Sequence, residues 1–141
     1  MLVRLMYASR AANADTETIA AIVKQSKAHN GAAGITGLLC FSDGIFLQVL
    51  EGGRDAVSAL YNRIAADPRH RDVVLLHYAE IGERRFSGWA MGQVNLGRLN
   101  PALLLKYSEK AVLDPFSVSG SVSQALFNEL VATASVACLG S

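Results

Sequence analysis

The sequence predicts an α+β domain of ferredoxin-like order, βαββαββ, with a five-stranded mixed sheet, two helices on one face and a helical C-terminal cap on the other. Three observations predict it. Apolar residues alternate between period two and helical spacing in the order strand, helix, strand, strand, helix, strand, strand. The first, third and fifth strands are apolar on both faces, so two helices on one face leave the other bare. The chain beyond the fifth strand carries two more helical segments that can cover it. At 141 residues, 51% hydrophobic and 18% charged, the chain is the size of one domain with one core, and its composition argues against disorder.

Residues 2–9 form the first strand, with Val3, Leu5, Tyr7 and Ser9 on one face and Leu2, Arg4, Met6 and Ala8 on the other. Asp15 is the expected N-cap of a helix over 16–30, whose apolar stripe is Ile19, Ile22 and Val23, with Gly31 and Gly34 closing it. Residues 35–41 and 45–50 are two apolar runs joined by Ser42-Asp43-Gly44, a hairpin signal. Val57, Leu60, Tyr61 and Ile64 mark a second helix, stopped by Asp67-Pro68. A fourth strand follows over 73–81 and a fifth over 89–94. Residues 101–110 and 122–137 are the expected cap helices, the second with Val122, Leu126, Leu130 and Val131 on its apolar side, joined through 117–121. The division is a ligand-binding unit over 1–95 and a helical extension over 96–141, packing on the sheet or in an oligomer interface.

Several function classes are set aside by composition. Formal net charge is +1 with the cations scattered, which offers no footprint for a nucleic-acid backbone. Cys40 and Cys138 lie far apart with no metal-ligand spacing, and read as inert thiols in a reducing compartment. The N-terminus is too interrupted for a signal peptide, and no apolar run reaches membrane length. The expectation is a soluble cytoplasmic protein.

Strand parity gives the sharpest local inference. Tyr7 shares a face with Val3 and Leu5, Gln48 with Phe46 and Leu50, and Met91 with Trp89. If those faces lie under the two helices, a phenol, a primary amide, an indole and a thioether meet in one apolar pocket. An amide left there without partners costs roughly 1–3 kcal/mol, so Gln48 needs a reason to be present. Each residue also has a plain reading: Gln48 on an exposed edge or bonded to nearby backbone, Tyr7, Trp89 and Met91 as core. Their common parity favours a ligand site without naming the ligand.

The segments Arg4-Leu5-Met6-Tyr7-Ala8-Ser9, Ser26-Lys27-Ala28-His29-Asn30, Gly34-Ile35-Thr36-Gly37-Leu38-Leu39, Phe46-Leu47-Gln48-Val49-Leu50-Glu51-Gly52, Asp67-Pro68-Arg69-His70 and Arg85-Phe86-Ser87-Gly88-Trp89-Ala90-Met91 stand in this order between residues 2 and 94. In that order and spacing the chain closely resembles the BLUF family, sensors of blue light using FAD, of the short single-domain type. The resemblance implies non-covalent FAD, with FMN or riboflavin as alternatives because such domains grip mainly the ring. It implies that Tyr7 donates an electron and a proton to the photoexcited flavin, and that Gln48 lies between phenol and ring. Trp89 and Met91 would stand beside Gln48 on the fifth strand. Asn30 would hold the polar edge of the ring, with Ile22 and Ile64 on its two sides and His29 nearby. Lys27, Arg63, Asp67, Arg69 and His70 would serve the ribityl and phosphate portion. His77 has no assigned role.

A primary amide carries an acceptor and a donor, so turning it over or changing its tautomer exchanges the two functions. The resemblance implies a small reversible red shift of the flavin spectrum from such a rearrangement, passed through the fifth strand to the C-terminal region. With no output domain expected in the chain, the signal would reach a separate signalling protein or change self-association, and a homo-oligomer is expected. Two rivals stay open. A small enzyme on the same fold lacks a recognisable nucleophile, base and orienter set and paired carboxylates on the apolar face. A binding module for another small molecule is permitted by the fold alone.

Overall fold

A computed structural model of the chain describes residues 1–13, 15–88, 91–94, 101–132 and 136–138. Strand β1 (Leu2–Ala11) leads to helix α1 (Thr16–Ala33), then to β2 (Thr36–Ser42), β3 (Ile45–Gly53), helix α2 (Arg54–Ala66) and β4 (His70–Ile81). The chain continues through β5 (Gly92–Val94), α3 (Pro101–Tyr107), α4 (Gly120–Ala132) and β6 (Val136–Cys138). Asp15 caps α1 by accepting from the Thr18 backbone N–H at 2.7 Å, which satisfies one of the helix's open donors. Gly34, at φ 70°, ends that helix in the left-handed conformation that glycine adopts without strain. The β2–β3 turn is the two-residue kind: Asp43 and Gly44 take φ of 51° and 78°, and Ser42 faces Ile45 across it. Positive φ at both central positions matches the twist of the flanking strands.

The sheet order is β4-β1-β3-β2-β5-β6. The expected five-stranded sheet with two helices on one face is corrected here. Its body is four long antiparallel strands, β4, β1, β3 and β2. Two three-residue strands extend it, β5 parallel to β2 and β6 antiparallel to β5, and the described residues contain four helices. The departures have local causes. Within the segment expected as a fifth strand, the described strand begins only at Gly92, and Trp89 lies outside the described residues. The last expected helix, over 122–137, stops at Ala132. Val136 to Cys138 then pair with β5; three residues are too few for periodicity to separate strand from helix. Strand β4 starts at His70 rather than Val73.

Each face of the sheet has its own apolar cluster. Under α1 and α2, Val3, Leu5, Tyr7, Leu39, Phe46, Leu50 and Met91 pack with Ile19, Ile22, Val23 and Val57. On the opposite face, Met6, Ala8, Leu38, Cys40, Leu47 and Val49 pack with Phe86, Leu104, Leu113, Leu126 and Phe127. Burial pushes the Cys40 thiol up to about 12, which keeps it unreactive at neutral pH.

Helix α4 approaches the edge strand closely at its first residue: a Cβ on Gly120 would stand 2.0 Å from the Leu76 carbonyl oxygen. Backbone cannot yield as a side-chain tip does, so this contact requires glycine. Gly120→Ala is expected to destabilise the fold by about 1–3 kcal/mol, read as a lower thermal midpoint by circular dichroism; an unchanged midpoint would show that α4 does not dock at Leu76.

Candidate functional site

The site forms where the central strands pass beneath α1 and α2. In the β1–β3 register Tyr7 stands directly opposite Gln48, and both are almost fully buried. The Tyr7 hydroxyl donates to Gln48 Oε1, and Gln48 Nε2 donates to Met91 Sδ at 3.3 Å. The amide thus bridges a phenol and a thioether, its acceptor toward one and its donor toward the other. Burial first, then the nearby Tyr61 and Asp67, push the Tyr7 phenol well above its ordinary range, so it holds its proton across the physiological range. Tyr61 packs against it with ring centroids 5.9 Å apart.

His70, at the start of β4, lies on the other side of Tyr7. Its Nδ1 meets Ser9 Oγ at 2.8 Å, and its ring stands 4.8 Å from Phe46 and 6.4 Å from Tyr7 between centroids. The β1–β4 pairing shifts register between Met6 and Tyr7 and again between Ala8 and Arg10. Such bulges re-aim side chains, and these two bracket Tyr7.

The two helices carry most of the other candidates, Ile22, Lys27, His29 and Asn30 on α1 and Arg63 and Ile64 on α2. Ile22 is buried on α1, and Ile64 of α2 packs against the same cluster. Asn30 is fully buried at the end of α1, where its carbonyl accepts from the Ile35 backbone N–H at 2.8 Å. Arg63 is exposed on α2 and reaches across to His29 Nε2 on α1. Arg69 is held by Asp67 through Nη2 at 2.7 Å and by Gln25 at 2.8 Å. Lys27 is half-buried on α1, while His77 sits on β4 opposite Met6. Trp89 lies outside the described residues. Two buried amides, Gln48 and Asn30, a phenol and the isoleucines of the two helices suit a planar ring with a hydrogen-bonding edge. Arg63 in the last turn of α2, Arg69 beyond it and Lys27 within α1 suit a polar or anionic chain.

These features have counterparts in known proteins. The family described as sensors of blue-light using FAD, BLUF, matches residues 2–92. The chain belongs to the BLUF family. A photoactivated adenylate cyclase subunit beta of Euglena longa is 41% identical over 86 residues, which is 60% of this chain and 10% of that protein. The chain therefore spans about a tenth of such relatives. The solved structure of BlsA in its photo-activated state is 29% identical, with a TM-score of 0.82 over 93% of this chain and 95% of that one. Klebsiella pneumoniae BlrP1 with FMN and cyclic diGMP is 32% identical, with a TM-score of 0.67 over 95% of this chain and 35% of that one. BLUF relatives thus occur both as chains of this length and as parts of larger proteins, and a flavin is the family's cofactor.

Ser9, Tyr61, Arg4 and Glu51 were missed as site residues. Parity placed Ser9 on the face of Tyr7, and helical spacing placed Tyr61 beside Ile64, but neither signal named a partner. Glu51 follows the same alternation as Leu47 and Val49, and Arg4 that of Met6, so a cross-strand ion pair on the second face was there to be found.

Burial lowers the His70 pKa from its ordinary 6.5, with Asp67 opposing and Arg69 adding to the effect. The folded protein thus holds a neutral imidazole while the unfolded chain takes up a proton near 6.5. Stability from this group is complete above that value and is lost as pH falls from it toward the folded pKa. Thermal midpoints measured down through this window should fall more steeply for the parent than for His70→Gln; parallel profiles would remove His70 as the cause.

Proposed function

We propose that this chain is a blue-light receptor whose switching part is the Gln48 amide, held between Tyr7 and Met91. The observation that carries this reading is the bridge itself: a buried amide accepting from a phenol and donating to a thioether. A bound flavin, FAD in the family's description, supplies absorption of blue light and, once excited, the pull on an electron. Tyr7 is the electron and proton source, and its raised pKa keeps it protonated in the dark. Gln48 takes the proton's hydrogen bond at Oε1. Ile22 and Ile64 would exclude water on the ring's two sides, Asn30 would hold its polar edge, and His29 would pack nearby. Lys27, Arg63, Asp67, Arg69 and His70 serve the remainder of the cofactor.

The bridge has only one satisfied orientation toward Met91. A thioether accepts but does not donate, so an amide turned end for end would present its carbonyl to sulfur and lose that contact. Light-driven turning of Gln48 therefore releases Met91, and with it the connection leading to β5. In this reading residues 1–95 are the flavin-binding unit and 96–141 the extension that carries the change outward to a partner protein. No described helix is long and apolar enough to cross a membrane. Val74, Leu75 and Tyr78 are large, exposed side chains on the edge strand β4, which supports self-association there. The receptor reading makes the chain a sensor rather than a catalyst.

Gln48→Leu keeps comparable bulk and removes both hydrogen-bonding functions. The purified variant is expected to be yellow yet to show no reversible red shift under blue light, measured by absorption spectroscopy beside the parent. A normal shift in the variant would overturn the role of Gln48. A parent that stays colourless when supplied with flavin would overturn the receptor reading.

A further inference from the structure

We infer that Glu51 is a positioning residue for the switch: its buried carboxylate fixes the connection from β4 to β5 and so holds Met91 where Gln48 can donate to it. The inference rests on the receptor reading above. Glu51 is at 0% exposure and Arg4 at 7%, and they stand opposite each other in the β1–β3 register on the face away from Tyr7. Arg4 Nε donates to Glu51 Oε2 at 2.8 Å, and Arg4 Nη2 lies 2.7 Å from the same oxygen. The other donors come from backbone. The N–H of Arg85 donates to Oε1 and Oε2 at 2.9 and 3.1 Å, and that of Phe86 to Oε1 at 2.6 Å.

A carboxylate that could be satisfied by one arginine is thus shared with two successive amides of a connection that has no strand of its own there. Further contacts hold the same stretch. Arg84 Nη1 donates to Thr36 Oγ1 at 3.1 Å and to the Glu51 carbonyl at 3.4 Å. Arg85 Nη1 donates to Asn128 Oδ1 of α4 at 2.6 Å. The Phe86 side chain, 1% exposed, sits in the second cluster with Leu104, Leu126 and Phe127. The connection is therefore tied to β3, β2 and α4 at Arg84, Arg85 and Phe86, shortly before Met91, which packs in the first cluster.

Charge-assisted bonds in a buried site are strong and directional, and their loss leaves several donors unsatisfied at once. Glu51 lies three residues beyond Gln48 on the same strand, so β3 presents the amide on one face and, on the other, the anchor that positions the amide's partner. Removing the anchor leaves Gln48 and Tyr7 in place but loosens Met91. The dark orientation of the amide then loses the acceptor that favours it.

The test is Glu51→Gln in the whole chain loaded with flavin, read by the rate of thermal return to the dark spectrum after blue light. The variant is expected to bind flavin and to shift under light, but to return about tenfold more slowly than the parent. An Arg4→Met/Glu51→Leu double variant, which replaces the pair with apolar bulk, should slow in the same sense. Return that is unchanged or faster in a folded, flavin-bound Glu51→Gln would overturn the inference. A second measurement serves if neither variant folds. In the unaltered protein kept dark, the Arg85 and Phe86 amides should resist hydrogen exchange as strand amides do. Exchange as fast as that of exposed Gly82 and Glu83 would overturn the inference. That measurement needs no photochemistry, so a parent that failed to respond to light would count against the receptor reading and leave the anchor to be judged by exchange.

Discussion

The register between β1 and β3 is the constraint on which the rest of the structure depends. It sets Tyr7 against Gln48 on one face and Arg4 against Glu51 on the other. Because side chains alternate strictly, a slip of one residue would turn every one of these groups to the wrong side. Such a slip would part Tyr7 from Gln48 and Arg4 from Glu51 and leave buried polar groups without partners, which makes it costly. Leu5 and Leu50 on one face and Met6 and Val49 on the other lie between these pairs and fill the core around them.

Two kinds of buried polar pair coexist in this core. Tyr7 and Gln48 are neutral, and their hydrogen bonds can be exchanged at low electrostatic cost. Arg4 and Glu51 are charged, and separating them would leave an uncompensated charge in a dry environment, a penalty of several kcal/mol. The structure places the neutral pair under α1 and α2 and the charged pair on the opposite face, against the amides of Arg85 and Phe86. That division suits a protein in which one face must change while the other keeps the scaffold in register.

Much of this was legible in the sequence because it depends on short-range pattern. Period-two alternation located Tyr7 and Gln48 on a common face, Asp15 announced the start of α1, and Asp43-Gly44 announced the hairpin. The ordered motifs from Arg4 to Met91 named the family. What was not legible depends on pairing between distant segments. Nothing in Val136-Ala137-Cys138 says that it joins β5, and no local signal sets where β5 begins. The ion pair of Arg4 with Glu51 was available from parity, yet its backbone partners at Arg85 and Phe86 lie in a connection without periodicity. The site residues on α1 and α2 were named by resemblance. The contact of Arg63 with His29 across the two helices became visible only with the helices in place.

Strand β5 is three residues long and lies between β2 on one side and β6 on the other. Short strands with few ladder bonds sit at the low end of a protein's range of local opening free energies, well below the cost of global unfolding. The four long strands can therefore stay closed while this seam parts. Met91 stands immediately before the seam, and the chain's own tail forms its far side. Met91 thus stands beside a seam held by few ladder bonds, and an opening there would part β5 and β6 from the four long strands before those strands part from one another.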